Sequence, residues 1–291
     1  MHKGRAINPR YTAIVVSVLS LLVLLFSVFF VVALRATPAR AADISNSYAW
    51  KQLKIGGGGF VTGLIIHPKT PGLVYARTDV GGAYRWDETS QTWSQLLLAG
   101  GVPNPTASDY NVESIALSQT NDQIVYVAVG STWNLQQDTP SGRILKSTDR
   151  GQSWTDSGQR WAIGGNNEYR QGGERLAVDP ANENIVYFGS RTMGLWVSTD
   201  GAAHWSQIST SQIPLGSNSD ANNPAGVKLV AFDPSKGTTS GKTNRVYVGV
   251  AGQGLYRSDD AGATWTNVYG SCPLLVTSST MSKSGKNRRG T

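Results

Sequence analysis

Asp79 stands where the rest of the chain gives no structural reason for an acid. Three tyrosines that follow a valine each lie seven positions before a glycine leading into the next strand. The pairs are Tyr75 and Gly82, Tyr187 and Gly194, and Tyr247 and Gly254. Four positions after those tyrosines come Asp79, Arg191 and Ala251, so the repeat places no demand for a carboxylate there. The position falls in a turn between two inner strands. Its neighbours Arg77, Thr78, Gly81 and Gly82 join hydrogen-bonding groups to glycines that permit close backbone approach. A carboxylate in this setting serves as a general base or a nucleophile. The competing reading is a solvated turn aspartate, the usual fate of Asp beside Gly.

Other chemistry-bearing residues narrow the field. His67 and His204 are isolated and lack metal-ligand spacing, so neither a metal nor a cofactor is expected. The run Gly56–Gly59 is followed by no Gly-Lys-Ser/Thr and is not a phosphate loop. Three segments, Ser147 to Trp154, Ser198 to Trp205 and Ser258 to Trp265, share the pattern Ser-x-Asp-x-Gly-x-x-Trp of an Asp-box, with Ala202 at the glycine position of the second. In this device Asp bonds turn amides, Gly permits positive φ and Trp packs between sheets. A carboxylate used once per repeat serves its hairpin, so these aspartates are read as structural.

The elements that must hold Asp79 recur with a period of about 50–60 residues, the signature of propeller blades rather than of a helical repeat. Each unit has an apolar strand, a Val-Tyr strand, a strand entered through Gly and an aliphatic or aromatic pair, and a short fourth strand after the Asp-box. Four strands per unit is the blade count of a propeller. The expectation is an all-β fold with four blades, around residues 60–96, 112–157, 174–208 and 227–268. Within them Leu229–Phe232 is expected to end in a turn at Asp233-Pro234. Trp50-Lys51-Gln52-Leu53 resembles the fourth-strand starts Trp93–Leu96 and Trp205–Ile208, and is read as the outer strand of a last blade.

Composition removes one function class. The net charge of +7 comes from the ends: residues 1–41 and 271–291 hold nine Lys or Arg and no acid. Residues 42–270 keep the other 17 basic residues against all 19 acidic ones. A near-neutral domain has no basic face for nucleic acid. Lys3, Arg5 and Arg10, the uncharged stretch 11–34 and Ala39-Arg40-Ala41 together read as a signal peptide. The alternative is a membrane anchor, since 24 uncharged residues span a bilayer. Either way residues 42–270 are expected to be exported, and membrane contact is expected only through the N-terminal segment. A single cysteine, Cys272, excludes an intrachain disulfide. Residues 271–291 are rich in Ser, Lys and Arg and are expected to be disordered. Four blades followed by such a tail read as part of a larger propeller, not as a closed four-bladed ring.

The segment Tyr48–Gly63, with its four-glycine run, and Leu73–Trp86, with Arg77-Thr78-Asp79-Val80-Gly81-Gly82, resemble glycoside hydrolase family 74, the xyloglucan-cleaving endoglucanases. Val112–Ala116 and Gly173–Pro180 fit the same resemblance, which covers about residues 48–269. It implies two seven-bladed propellers facing each other across an open cleft that holds a β-glucan chain. It also implies an inverting mechanism, in which one Asp activates water while another protonates the leaving oxygen. Asp79 matches the family's general base; the acid belongs to a second propeller absent from this chain. On this resemblance, residues outside the repeat grid are candidates for sugar contacts. Tyr110 and Trp133 are candidates for stacking, and Asp109, Asn111 and Asn134 for hydrogen bonds to hydroxyls. Trp161 and Arg170, in the insert 158–173, are weaker ones. Loops carry both binding and packing roles, so each stands open. The alternative function is a non-catalytic Asp-box propeller that binds glycan or protein. A sialidase is set aside, because no Arg-Ile-Pro-type segment or arginine triad is evident.

Overall fold

Runs of β-branched and aromatic residues bounded by Gly, Pro, Asn and Asp favour short strands joined by tight turns. The computed structural model describes residues 55–131, 140–217, 220 and 222–269. The N-terminal segment 1–41, Trp50–Leu53, Trp133, Asn134 and residues 271–291 lie outside the described residues.

Sixteen strands form four antiparallel four-stranded sheets among the described residues. The first holds β1 (Val61–Ile66), β2 (Val74–Thr78), β3 (Ala83–Asp87) and β4 (Thr92–Gln95). The second holds β5 (Val112–Leu117), β6 (Val125–Val129), β7 (Arg143–Ser147) and β8 (Thr155–Asp156). The third holds β9 (Leu176–Asp179), β10 (Asn182–Gly189), β11 (Leu195–Ser198) and β12 (Ser206–Gln207). The fourth holds β13 (Val227–Thr239), β14 (Lys242–Val250), β15 (Gly254–Ser258) and β16 (Thr266–Asn267). Each is a meander in chain order, and the tyrosines keep one register: Tyr75 faces Arg85, Tyr187 faces Val197 and Tyr247 faces Arg257. The first strands lie next to one another, β1 by β5, β5 by β9 and β9 by β13. The sheets are consecutive blades of a propeller and do not close into a ring among the described residues.

Three apolar clusters sit between neighbouring sheets. Tyr75, Ile115, Val127 and Trp154 join the first to the second, Ile144, Phe188 and Trp161 the second to the third, and Leu195, Val230 and Val248 the third to the fourth. Equivalent first-strand residues show what a neighbour does. Leu64 is 62% exposed, whereas Ile115, Leu176 and Val230 at the same register are 1%, 2% and 3% exposed. Burying one such side chain is worth about 1.5–3 kcal/mol.

The Asp-boxes are turn devices. Asp149 Oδ1 accepts the amides of Gln152 and Ser153 at 2.9 Å, while the Ser147 hydroxyl accepts the amide of Gly151 at 2.7 Å. Slight burial works against the charge, but the Ser153 and Ser147 hydroxyls and those amides outweigh it and hold the Asp149 carboxyl at about 2. Hydrogen bonds to Thr264 lead the causes that hold Asp260 at about 2. Trp205 packs edge-on to Trp161 at 5.4 Å and Trp265 to Tyr187 at 6.4 Å.

One expected turn is absent. β13 runs on through Asp233-Pro234, and the register shifts between Asp233 and Thr238 before pairing resumes with Thr243. A proline withholds only its own donor and is tolerated at such an irregularity. The chain reverses instead at Ser240-Gly241, both at positive φ, as a tight two-residue hairpin demands.

Candidate active site

Asp79 lies in the turn between β2 and β3. Thr78 closes that turn, its amide and hydroxyl both donating to the Gly82 carbonyl at 3.0 and 2.9 Å, while its hydroxyl accepts the Gly81 amide at 2.8 Å. The Asp79 amide donates to the Phe60 carbonyl at 3.2 Å, and Asp79 Oδ1 accepts the Phe60 amide at 2.8 Å. The carboxylate is therefore tied to the chain entering β1.

The glycine run makes this contact sterically feasible. Gly59 is at φ +98, and a Cβ there would stand 2.7 Å from Asp79 Oδ1. A Cβ on Gly57 would lie 1.8 Å from the Tyr84 hydroxyl oxygen, and one on Gly81 would lie 2.0 Å from the Gly58 carbonyl oxygen. Gly57 and Gly59 thus let the run approach β3 and the Asp79 turn more closely than side-chain-bearing residues could there, whereas a Cβ on Gly56 or Gly58 would meet nothing within 4 Å. Phe60 and Val80, both exposed, form an apolar shoulder beside the acid.

The other carboxylate oxygen faces the insert between the second and third sheets. Arg170 Nε donates to Asp79 Oδ2 at 3.2 Å. Asp79 is only 7% exposed. Each carboxylate oxygen offers about two acceptor positions. With one taken on each by Phe60 and Arg170, acceptor capacity remains for a water.

Behind the pair lies a chain of buried charges. Arg77 Nε donates to Glu174 Oε1 at 2.8 Å, and its Nη1 donates to Thr62 Oγ1 at 2.8 Å and to the Arg170 carbonyl at 3.1 Å. Glu174 Oε2 accepts the Ser114 hydroxyl at 2.6 Å and the Ile115 amide at 2.9 Å. Glu113 pairs with Arg191 at 2.6 Å and Arg175 at 2.7 Å, and accepts the Gly164 amide at 2.9 Å. Burial alone would push the Glu113 carboxyl up, but the two guanidinium groups outweigh it and hold it below its ordinary value. Burial likewise pulls Arg175 down to about 10, opposed by Glu113. The remaining donors of Arg175 and Arg191 go to the carbonyls of Val227, Ala225, Glu168 and Gly164. These two arginines are committed to the scaffold. Arg191, at the position equivalent to Asp79, is a blade-to-blade tie.

The loop candidates divide. The turn Ala107–Tyr110 abuts the Asp79 hairpin, where the Tyr110 carbonyl accepts the Gly82 amide at 2.7 Å. Asn111 is half-buried, and its side-chain amide donates to the Ser108 carbonyl at 3.2 Å. Asp109 turns inward, pairs with Arg143 at 3.0 and 2.6 Å, and accepts the Thr106 amide at 2.7 Å. That bonding makes Asp109 the anchor of the loop bearing Tyr110 and Asn111. Trp161 is fully buried and packs edge-on to Phe188, Trp196 and Trp205, so it belongs to the core. The contacts of Phe60, Gly59 and Arg170 with Asp79 were not expected from sequence. Only the glycine run signalled that something must approach closely. Among the described residues no cluster of His, Cys, Asp or Glu is suited to a metal.

Asp-box sheets carrying a held carboxylate at one inter-strand turn define part of a β-propeller with a built polar site. No protein-family model matches the chain. It is 42% identical over 245 residues to a xyloglucanase of Hypocrea jecorina, covering 80% of this chain and 28% of that protein. It is 41% identical over 239 residues to a xyloglucanase of Acetivibrio thermocellus, covering 79% of this chain and 28% of that protein. Among solved structures, the GH74 xyloglucanase of Xanthomonas campestris superposes with a TM-score of 0.64 at 36% identity, over 77% of this chain and 32% of that one. The GH74 enzyme of Niastella koreensis gives 0.62 at 39% identity, over 74% of this chain and 30% of that one. The chain belongs to glycoside hydrolase family 74. It spans less than a third of the length of each of these relatives.

Proposed function

We propose that this chain supplies the base-bearing side of a xyloglucan-cleaving active site, in an inverting endo-β-1,4-glucanase. Asp79 is the general base. Its carboxylate, aimed by Phe60 and Arg170, takes a proton from a water that attacks the anomeric carbon on the face opposite the leaving oxygen. The general acid is carried by a second propeller, standing about 6.5–9.5 Å from Asp79 so that the water fits between them. Tyr110, Asn111, Trp133 and Asn134 contact the glucan, with Asp109 holding the loop of Tyr110 and Asn111 in place. The exported state follows from the basic and apolar N-terminal segment, either cleaved or retained as an anchor.

The observation that carries this reading is the held but unsaturated Asp79 carboxylate, beside the exposed Phe60 and Val80 and next to the Tyr110 loop. The test is xyloglucan hydrolysis and binding by purified residues 42–291, with the products sized. Binding without cleavage is the expected result for a base-bearing part that lacks its acid. Cleavage would place an acid in this chain or an associated one. Neither activity in a folded sample would contradict the proposal. A second reading, a propeller that binds glycan or protein without catalysis, is favoured by the Arg170 pair, which occupies part of the Asp79 carboxylate.

A further inference from the structure

We infer that Arg170 is the positioning residue for Asp79, reaching it from the insert between the second and third sheets; the inference rests on the reading of Asp79 as general base. Asp79 directly follows Thr78, the last residue of β2, and its side chain has one backbone partner, the Phe60 amide, at Oδ1. That bond alone leaves the carboxylate free to rotate about it. Arg170 Nε, bonded to Oδ2, supplies the second point that sets the carboxylate plane.

Arg170 is itself held from both ends. Its amide donates to the Asn167 carbonyl at 3.3 Å, and its Nη1 donates to the same carbonyl at 3.2 Å. Its own carbonyl is gripped by Arg77 Nη1 at 3.1 Å. Arg77 is fully buried and neutralised by Glu174, so its positive charge is spent before it reaches Asp79. Arg170 has no such second acid: among the described residues Asp79 is its only carboxylate partner. Its side chain keeps 24% exposure, so the guanidinium holds Asp79 while still bordering solvent. Placement of this kind matters in hydrolysis, because a displacement of about 1 Å in a reacting group costs up to about 100-fold in rate.

The test uses amide exchange and kinetics on Arg170→Gln and Arg170→Lys. In the full chain, Arg170→Gln is expected to speed hydrogen exchange of the Phe60 amide about tenfold or more, because its acceptor loses its second restraint. The Gly82 amide, bonded to the Tyr110 carbonyl and outside the Arg170 network, serves as the reference and stays unchanged. Arg170→Lys restores part of the protection. In the complete hydrolase, Arg170→Gln lowers kcat about 10- to 100-fold with KM changed less than about twofold. Unchanged Phe60 exchange in a folded Arg170→Gln protein would overturn the inference. So would a loss confined to KM. Asp79→Asn separates the two ideas. If that variant hydrolyses normally, the general-base reading fails whatever Arg170 does. If it is inactive while Arg170→Gln behaves as wild type, only the positioning role fails.

Discussion

Arg77 Nε donates to Glu174 Oε1 at 2.8 Å, joining the second strand of the first sheet to the chain that enters the third. The bond spans 97 residues and passes the first strand of the second sheet, whose Ser114 and Ile115 bond the other oxygen of the same carboxylate. Three blades therefore meet on one glutamate, and the backbone of Arg170 hangs from the same arginine.

Removing that acid tests whether the tie matters. Glu174→Gln leaves Arg77 buried without its counter-charge. Loss of one partner of a fully buried pair costs about 3–5 kcal/mol, and the 30% exposure of the Glu174 side chain reduces this to about 2 kcal/mol. Denaturant unfolding measures it. A loss of unfolding free energy below about 0.5 kcal/mol would mean that the pair is ornamental.

The Glu113 cluster sets an acid limit to stability. The folded carboxyl lies below its ordinary value of 4.5 because Arg191 and Arg175 outweigh its burial. A depressed folded value means that its stabilisation is complete above pH 4.5 and is lost as pH falls below it. Wild-type stability is thus expected to decline on acidification from about pH 4.5, and Glu113→Gln, already destabilised at neutral pH, to decline less steeply. Thermal melts from pH 3 to 7 check this. Parallel curves for the two proteins would remove Glu113 from the acid response.

Gly59→Ala should damage the site without touching Asp79 itself. The added methyl meets Oδ1 at 2.7 Å on a backbone at φ +98, so either the carboxylate or the chain entering β1 must move. Hydrolysis by the complete enzyme is expected to fall about tenfold or more. The Phe60 amide, bonded to Oδ1, should lose exchange protection in the same variant.

Ala202 occupies the Asp-box glycine position at φ +70, a conformation that L-residues adopt at a cost of about 1–2 kcal/mol. Ala202→Gly relieves that strain but loses a buried methyl and loosens the unfolded chain. The net expectation is a gain of about 0.5–1 kcal/mol, read as a rise of about 1–3 °C in Tm. Hydrolysis should not change, because Asp200 and its box serve a turn.

What repeats was readable from sequence. Tyr75, Tyr187 and Tyr247 occupy one register, and the Asp-box serines and aspartates make the same bonds in three sheets, because equal spacing imposes equal surroundings. Asp79 stood out for the same reason in reverse, as an acid at a position the repeat leaves free. What does not repeat was hidden. Arg170 reaches Asp79 across 91 residues, and Asp109 meets Arg143 across 34, from inserts with no period to reveal a partner. Asp233-Pro234 resembled the turn at Asp179-Pro180, yet a register shift carries β13 onward, and the reversal falls at Ser240-Gly241 in the longer segment that follows.

Asp79 as general base is tested most directly by xyloglucan hydrolysis with the Asp79→Ala variant of the complete enzyme, beside a binding assay and a melting curve on the same sample. The expected result is loss of hydrolysis by about 100-fold or more, with binding and Tm close to wild type. Near-normal hydrolysis by a folded Asp79→Ala protein would contradict the assignment and remove Asp79 from the mechanism.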